Sequence, residues 1–255
     1  MKKTKRAFFP SAIRWLCLFW GAGVFSACSK TPVPPGAVSL TIVNTLTTSL
    51  IVNFNEQDSI IYLNRGTNQI IEWNKSLAYS LHGGSQIVNL REIYPAWPGH
   101  EWEDHSLLKL LFALPAGTIG SLFIAGTVDN PDTLFVKDVP PDIPLADSSM
   151  GIRFVNLSGG KTAIRVNLQG EPDGSEADNL PYKGVTDFRK YPADASAQSY
   201  VFEFRDAADG ALLATCSIPN PGTAGPPNPW RYNNFTIVFS EAPGSSPAAF
   251  IVNNH

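Results

Sequence analysis

Cysteine is scarce in this chain of 255 residues, which has three, at Cys17, Cys28 and Cys216. The first two fall in an N-terminal segment treated below, so Cys216 alone belongs to the expected folded body and no intrachain disulfide can form there. Exported domains lean on disulfides mainly when they are too small to build a core. Stability here must therefore come from ordinary apolar burial, with Cys216 read as a small buried hydrophobe rather than a reactive thiol. Histidine is nearly as rare, with His82, His100, His105 and His255 the full set of candidate bases. The Gly-x-Ser-x-Gly elbow is missing, which removes the simplest sequence sign of serine hydrolysis. No apolar run reaches the ~18 residues needed to span a bilayer. Positive charge is short as well: 19 Lys and Arg face 22 Asp and Glu, a formal net charge of −3. An acidic body repels phosphate backbones, which sets nucleic acid aside as a partner.

What is present begins with residues 1–28, which have the order of an export signal. Lys2, Lys3, Lys5 and Arg6 form a basic region, residues 15–25 an apolar one, and Phe25-Ser26-Ala27-Cys28 puts small residues before a cysteine. That tetrapeptide resembles the lipobox of bacterial lipoproteins, with Phe25 in place of the usual leucine. The resemblance implies cleavage after residue 27 and a lipid on Cys28. The expected mature body then has 228 residues, and losing five basic and no acidic side chains takes its formal charge from −3 to −8. Residues 28–37 contain Pro32, Pro34 and Pro35. Within this tether, residues 29–36 favour extended polyproline geometry at ~3.1 Å per residue, a stand-off of about 25 Å.

From Val38 onward the apolar pattern has period two, broken by Gly, Asn, Asp and Pro, which predicts strands and turns. Val38, Leu40 and Ile42 share a face, as do Leu50, Val52 and Phe54, and Tyr200, Phe202 and Phe204. The last set runs into Asp209-Gly210, the mark of a hairpin. Residues 107–114 would suit a helix by propensity, yet Pro115 and Gly117 stop them early, so a strand is expected. Trp73 is expected in the core.

The chain also repeats itself. Leu40-Thr41-Ile42-Val43-Asn44 matches Ile152-Arg153-Phe154-Val155-Asn156, Val52-Asn53 matches Val166-Asn167, and Leu122-Phe123-Ile124-Ala125-Gly126 is aligned with Thr236-Ile237-Val238-Phe239-Ser240. Between the copies lies the proline-rich Val139-Pro140-Pro141-Asp142-Ile143-Pro144. The expectation is an all-β protein of two tandem immunoglobulin-like antiparallel β-sandwich domains, residues 38–147 and 148–255, each with seven or so strands. Closed barrels are the alternative.

With these motifs in place, the two halves are similar to tandem β-sandwich lipoproteins of Gram-negative bacteria that are catalogued only as a domain of unknown function. The likeness rests on the apolar-x-apolar-Val-Asn openings at Leu40 and Ile152, on Leu180-Pro181-Tyr182-Lys183-Gly184-Val185 with Tyr191-Pro192-Ala193, and on the strands at residues 121–126 and 235–240. Ser240-Glu241 departs from the small-residue-Gly ending of the first copy. The resemblance implies a lipid-anchored protein of the outer membrane, on its periplasmic face or at the cell surface, with no catalytic residues to carry over.

Several motifs carry bland readings. His100-Glu101-Trp102-Glu103-Asp104-His105 nearly spells a zinc-hydrolase motif, but its histidines are five apart, where sharing one helix face takes four. Gly159-Gly160-Lys161-Thr162 resembles the end of a phosphate loop, yet leads into a strand and reads as a hairpin turn. Asp173-Gly174-Ser175-Glu176-Ala177-Asp178 collects carboxylates without the ligand spacing of a calcium loop. Asp58-Ser59-Ile60 and Asp132-Thr133-Leu134 match short O-glycosylation acceptors, with occupancy not expected. No cofactor or metal is expected.

The functional hint is aromatic. Tyr94, Trp97 and Trp102 lie in a loop with Pro95 and Pro98, and Trp230 and Tyr232 follow the proline-rich residues 219–229. Flat rings on stiff loops can stack on sugars or on a protein partner at little entropic cost; the same rings can also fold back to cap their own sandwiches. The sequence thus points to a non-enzymatic binding or adhesion module for a polysaccharide or envelope protein. The alternatives are a fimbrial subunit or assembly partner, which would lose its first strand to donor-strand exchange, and a metal-dependent hydrolase at His100 and His105.

Overall fold

The computed structural model describes residues 36–54, 70–92, 106–160, 162–223, 227–242 and 244–254, and every regular element among them is a β-strand. Cys28 and the signal segment lie outside these residues. The first half contributes β1 (Ala37–Asn44), β2 (Leu50–Asn53), β3 (Ile70–Ile71), β4 (Lys75–His82), β5 (Gly84–Glu92), β6 (Ser106–Leu114), β7 (Ile119–Gly126) and β8 (Pro131–Lys137). The second contributes β9 (Ser149–Ser158), β10 (Ile164–Leu168), β11 (Ala177–Leu180), β12 (Arg189–Pro192), β13 (Tyr200–Asp206), β14 (Leu212–Ile218), β15 (Asn234–Glu241) and β16 (Ala248–Asn253).

Both halves have one topology. The first forms sheets ordered β4-β1-β7-β8 and β3-β2-β5-β6; the second forms β12-β9-β15-β16 and β11-β10-β13-β14, the same order with eight added to each strand number. Ladders are antiparallel except at the centre of one sheet in each half, where β1 runs parallel to β7 and β9 parallel to β15. Residues 107–114 lie within β6, the expected strand. The hairpin through Asp209-Gly210 also forms: β13 pairs with β14, and Gly210 takes φ 76° at the turn.

Alternation assigns the cores. Leu40, Ile42, Leu122 and Ile124 pack with Leu50, Val52, Val88 and Leu90 inside the first sandwich. Ile152, Phe154, Ile237 and Phe239 pack with Ile164, Val166, Phe202 and Phe204 inside the second. The opposite faces of the same central strands are buried too. Val43, Phe123 and Ala125 of the first half meet Val155, Leu157, Val238 and Val252 of the second in a third core. Four sheets are therefore stacked about three apolar layers, and residues 35–255 form one compact unit. Strands buried on both faces read as near-continuous apolar runs, which is why the central strands of both halves look alike in sequence.

Three expectations need correction. Trp73 is 40% exposed: β3 is two residues long, Ile71 takes the inward position, and Trp73 falls in the turn that leads to β4. The turn at Gly159-Gly160 is no hairpin, because β9 and β10 belong to different sheets and the turn carries the chain from one to the other. Pairing β1 with β7 and β9 with β15 matches Asn44 to Ile124 and Asn156 to Phe239, so Leu122 corresponds to Ile237 and not to Thr236. A slip of one residue exchanges the two faces of a strand, and Thr236 does point into the seam between the halves.

The recurring asparagine explains its own motif. Asn44 donates from Nδ2 to the carbonyls of Thr48 (2.7 Å) and Ile71 (3.0 Å) and accepts from Leu46 N (3.0 Å). Asn156 donates to Thr162 O (2.8 Å) and Leu180 O (2.9 Å) and accepts from Ser158 N (2.9 Å). Each side chain, fully buried, lies at the end of a central strand or two residues short of it, shapes the following turn and ties an edge strand of the facing sheet to it.

Candidate functional site

The loop after residue 227 is held by its own side chains. Asn228 Oδ1 accepts from Trp230 N (2.9 Å) and Arg231 N (3.2 Å), while its Nδ2 donates to Pro221 O (2.8 Å). Arg231 donates to Ala193 O (2.6 Å) and Gly222 O (3.0 Å), and Asn233 to Pro229 O (2.9 Å). On this frame the two expected aromatics part company. Trp230 folds back, with its ring 5.2 Å from that of Phe235 and packed against the second sandwich's core. Tyr232, at φ 64°, stays 40% exposed, and its hydroxyl donates to Leu145 O at 2.9 Å. Leu145 is itself 86% exposed in the linker between the halves. Tyr94, Trp97 and Trp102 lie outside the described residues, as do His100, His105 and Asp58-Ser59-Ile60.

The acidic loop at residues 173–178 is tied to protein cations and amides. Asp173 accepts from Asn167 Nδ2 (3.0 Å), Asp178 from Arg165 Nε (3.0 Å), and Glu176 from Arg189 (3.3 Å) and the Tyr191 hydroxyl. Burial first, and the bond to Glu176 second, raise the Tyr191 phenol well above its ordinary value, so it stays a donor. No group of three His, Cys, Asp or Glu able to hold a metal occurs among the described residues.

Cys216 is buried on β14, and burial pushes its thiol from 9.0 up to about 11. Two units leave roughly a hundredfold less thiolate at neutral pH. Native protein is expected to react with an aromatic disulfide reagent at pH 8 far more slowly than protein in urea; equal rates would mean an accessible thiol. Because this pKa is raised on folding, the associated stability is intact below 9.0 and is lost as the pH climbs toward 11.

Sequence reasoning missed a contact across the seam. The turn Leu180-Pro181-Tyr182-Lys183-Gly184-Val185 is pinned to β9, with Lys183 N donating to Asn156 O (2.8 Å), Asn156 N to Gly184 O (3.1 Å) and Val185 bridging Val155. It sets Tyr182 Oη 3.1 Å from Asp132 Oδ2 at the start of β8 and the Lys183 ammonium on Asp132 Oδ1. The motif was visible, but its partner lies fifty residues upstream and only the fold shows it.

No protein-family model and no curated protein matches the chain. Solved structures give loose superpositions. A Bacillus anthracis protein, TIE, is 7% identical over 84% of this chain and 34% of its own, with a TM-score of 0.21. The present chain thus spans about a third of that protein's length. A Bacteroides thetaiotaomicron protein, described as a candidate polysaccharide-binding protein (DUF1812), is 12% identical over 86% of this chain and 96% of its own, with a TM-score of 0.24. A DUF3823 family protein of Bacteroides ovatus is 10% identical over 73% and 96%, with a TM-score of 0.16. Superpositions this loose say nothing about what the present chain binds.

Proposed function

We propose that this chain is a non-enzymatic binding or adhesion module of the cell envelope, held at the outer membrane by lipid on Cys28 and offering its loops to a glycan or protein ligand. The observation that carries this reading is the hydrogen-bonded loop that holds Tyr232 out beside Leu145. Exposed apolar and aromatic surface on a rigid loop marks interaction sites, because little conformational freedom is left to lose on binding. The pilin alternative needs β1 to leave, yet β1 sits between β4 and β7 with Leu40 and Ile42 fully buried.

The full chain extracted in detergent should be retarded in gels containing its polysaccharide. Tyr232→Ala should weaken that retardation without moving the melting temperature. Trp230→Ala should instead cost about 2–3 kcal/mol of stability, because its ring fills space against Phe235. No retardation by any polysaccharide removes the glycan version. Labelled palmitate entering the wild type but not Cys28→Ala is the result expected of the anchor.

A further inference from the structure

The seam between the halves holds a concave site. Gly126, Thr127, Asn130, Pro131 and Asp132 of the β7–β8 turn face Gly159 and Tyr182 of the second half around a cleft of about 210 Å³. Sites for drug-sized ligands run to roughly 300–1,000 Å³, so this one has room for a single small ring.

Its walls are fixed. At φ 84°, a Cβ on Gly126 would stand 2.5 Å from Asn130 O and 3.0 Å from Asp132 N, so only glycine lets the turn fold this tightly. Next to the lining residue Tyr182, Lys183 is held at φ 61°, a conformation uncommon for residues with a side chain. Backbone strain that the surroundings must maintain gathers at ligand sites.

Its chemistry is mixed. Burial works to raise the Asp132 carboxyl, but hydrogen bonds from Lys183, Thr133 N and Tyr182 outweigh it and hold it below the usual range, so it is an anion at neutral pH. A carboxylate offers about four acceptor positions; Thr133 N (2.8 Å) and Lys183 meet Oδ1, and Tyr182 meets Oδ2. Oδ2 therefore keeps a lone pair for a further donor. Asn130, exposed on the rim, adds an amide that both donates and accepts. The half-buried Tyr182 ring is already engaged, with the Lys183 ammonium 5.8 Å over its centroid.

An anion would be repelled by Asp132, a cation would compete with Lys183, and an apolar group would leave all these partners unmet. Hydroxyl groups, each both donor and acceptor, meet them all. We propose that this cleft binds one neutral pyranose unit, its hydroxyls on Asp132 and Asn130, as a subsite of the glycan-binding role argued above.

The test is saturation-transfer NMR on the full chain in detergent, with a panel of neutral methyl pyranosides as probes. Transfer from at least one sugar is expected, with affinity at least tenfold weaker in Asp132→Ala and in Asn130→Arg, an exposed rim change that fills the mouth without disturbing the seam. Trp230→Ala should leave it unchanged. If Asp132→Ala fails to fold, Asn130→Arg alone decides. Binding that survives Asn130→Arg but is lost in Tyr232→Ala overturns the cleft and keeps the glycan role. No transfer from any sugar to the wild type, with retardation still seen in polysaccharide gels, also overturns the cleft; silence in both experiments overturns both.

Discussion

Asn156→Leu is expected to be among the most damaging single substitutions in the chain. Leucine has nearly the same shape, but it leaves Leu180 O and Ser158 N buried without the partners Asn156 provides, and removes one of the two bonds to Thr162 O. An orphaned buried polar group costs about 1–3 kcal/mol, so a loss of about 3 kcal/mol or more is expected in urea unfolding. Against a typical total of about 5–15 kcal/mol this is a large share. Asn44→Leu should cost a similar amount, because Asn44 makes the same three bonds at the matching place in the first half. A loss below about 1 kcal/mol in either would show that the asparagine is replaceable there.

The second large effect lies in the seam. Arg153 Nη2 donates to Asp138 Oδ1 at 2.6 Å, its Nε donates to Thr236 Oγ1 at 2.9 Å, and both charged side chains are almost wholly buried. Ser121 Oγ donates to Asp138 Oδ2 (2.7 Å) and accepts from Arg153 (3.2 Å) and Asn254 Nδ2 (2.9 Å), while Thr236 Oγ1 donates to Asn254 Oδ1 (2.5 Å). Burial lowers the Arg153 guanidinium from its ordinary value, Asp138 works against that shift, and the Phe188 ring lies 4.5 Å beneath it. Removing one partner of a buried pair strands the other charge, at about 3–5 kcal/mol. Asp138→Ala should show a loss of that size. The joint replacement Arg153→Met with Asp138→Leu should cost less than Asp138→Ala alone, because no charge is left behind. If the losses of Arg153→Met alone and Asp138→Leu alone simply add in the double variant, the pair is not coupled.

How far the sequence reached follows from which faces are buried. Period-two alternation made the hairpin at Asp209-Gly210 readable, since β13 buries Phe202 and Phe204 while Tyr200 and Val201 are only half-buried. The repeat was readable at β1 and β9, where Asn44 and Asn156 anchor the alignment. It slipped at β15, where seven residues in a row are buried and alternation gives no face to count from. Arg153 was visible as a charge inside an apolar run, in the position Thr41 occupies in the other copy. Its counter-ion Asp138 lies just past the end of β8, and no local rule pairs the two. Trp73 was misjudged because apolar character outweighed the turn that follows a two-residue strand.

The placement of β1 has a mechanical consequence. β1 is matched to β4 at eight positions and to β7 at six. A steady pull on residue 36 along the strand axis loads those ladders together in shear, and they must rupture nearly at once. Peeling an edge strand such as β8 breaks its bonds one after another. A molecule held from its N-terminal side therefore resists drag far better than its thermodynamic stability alone would suggest.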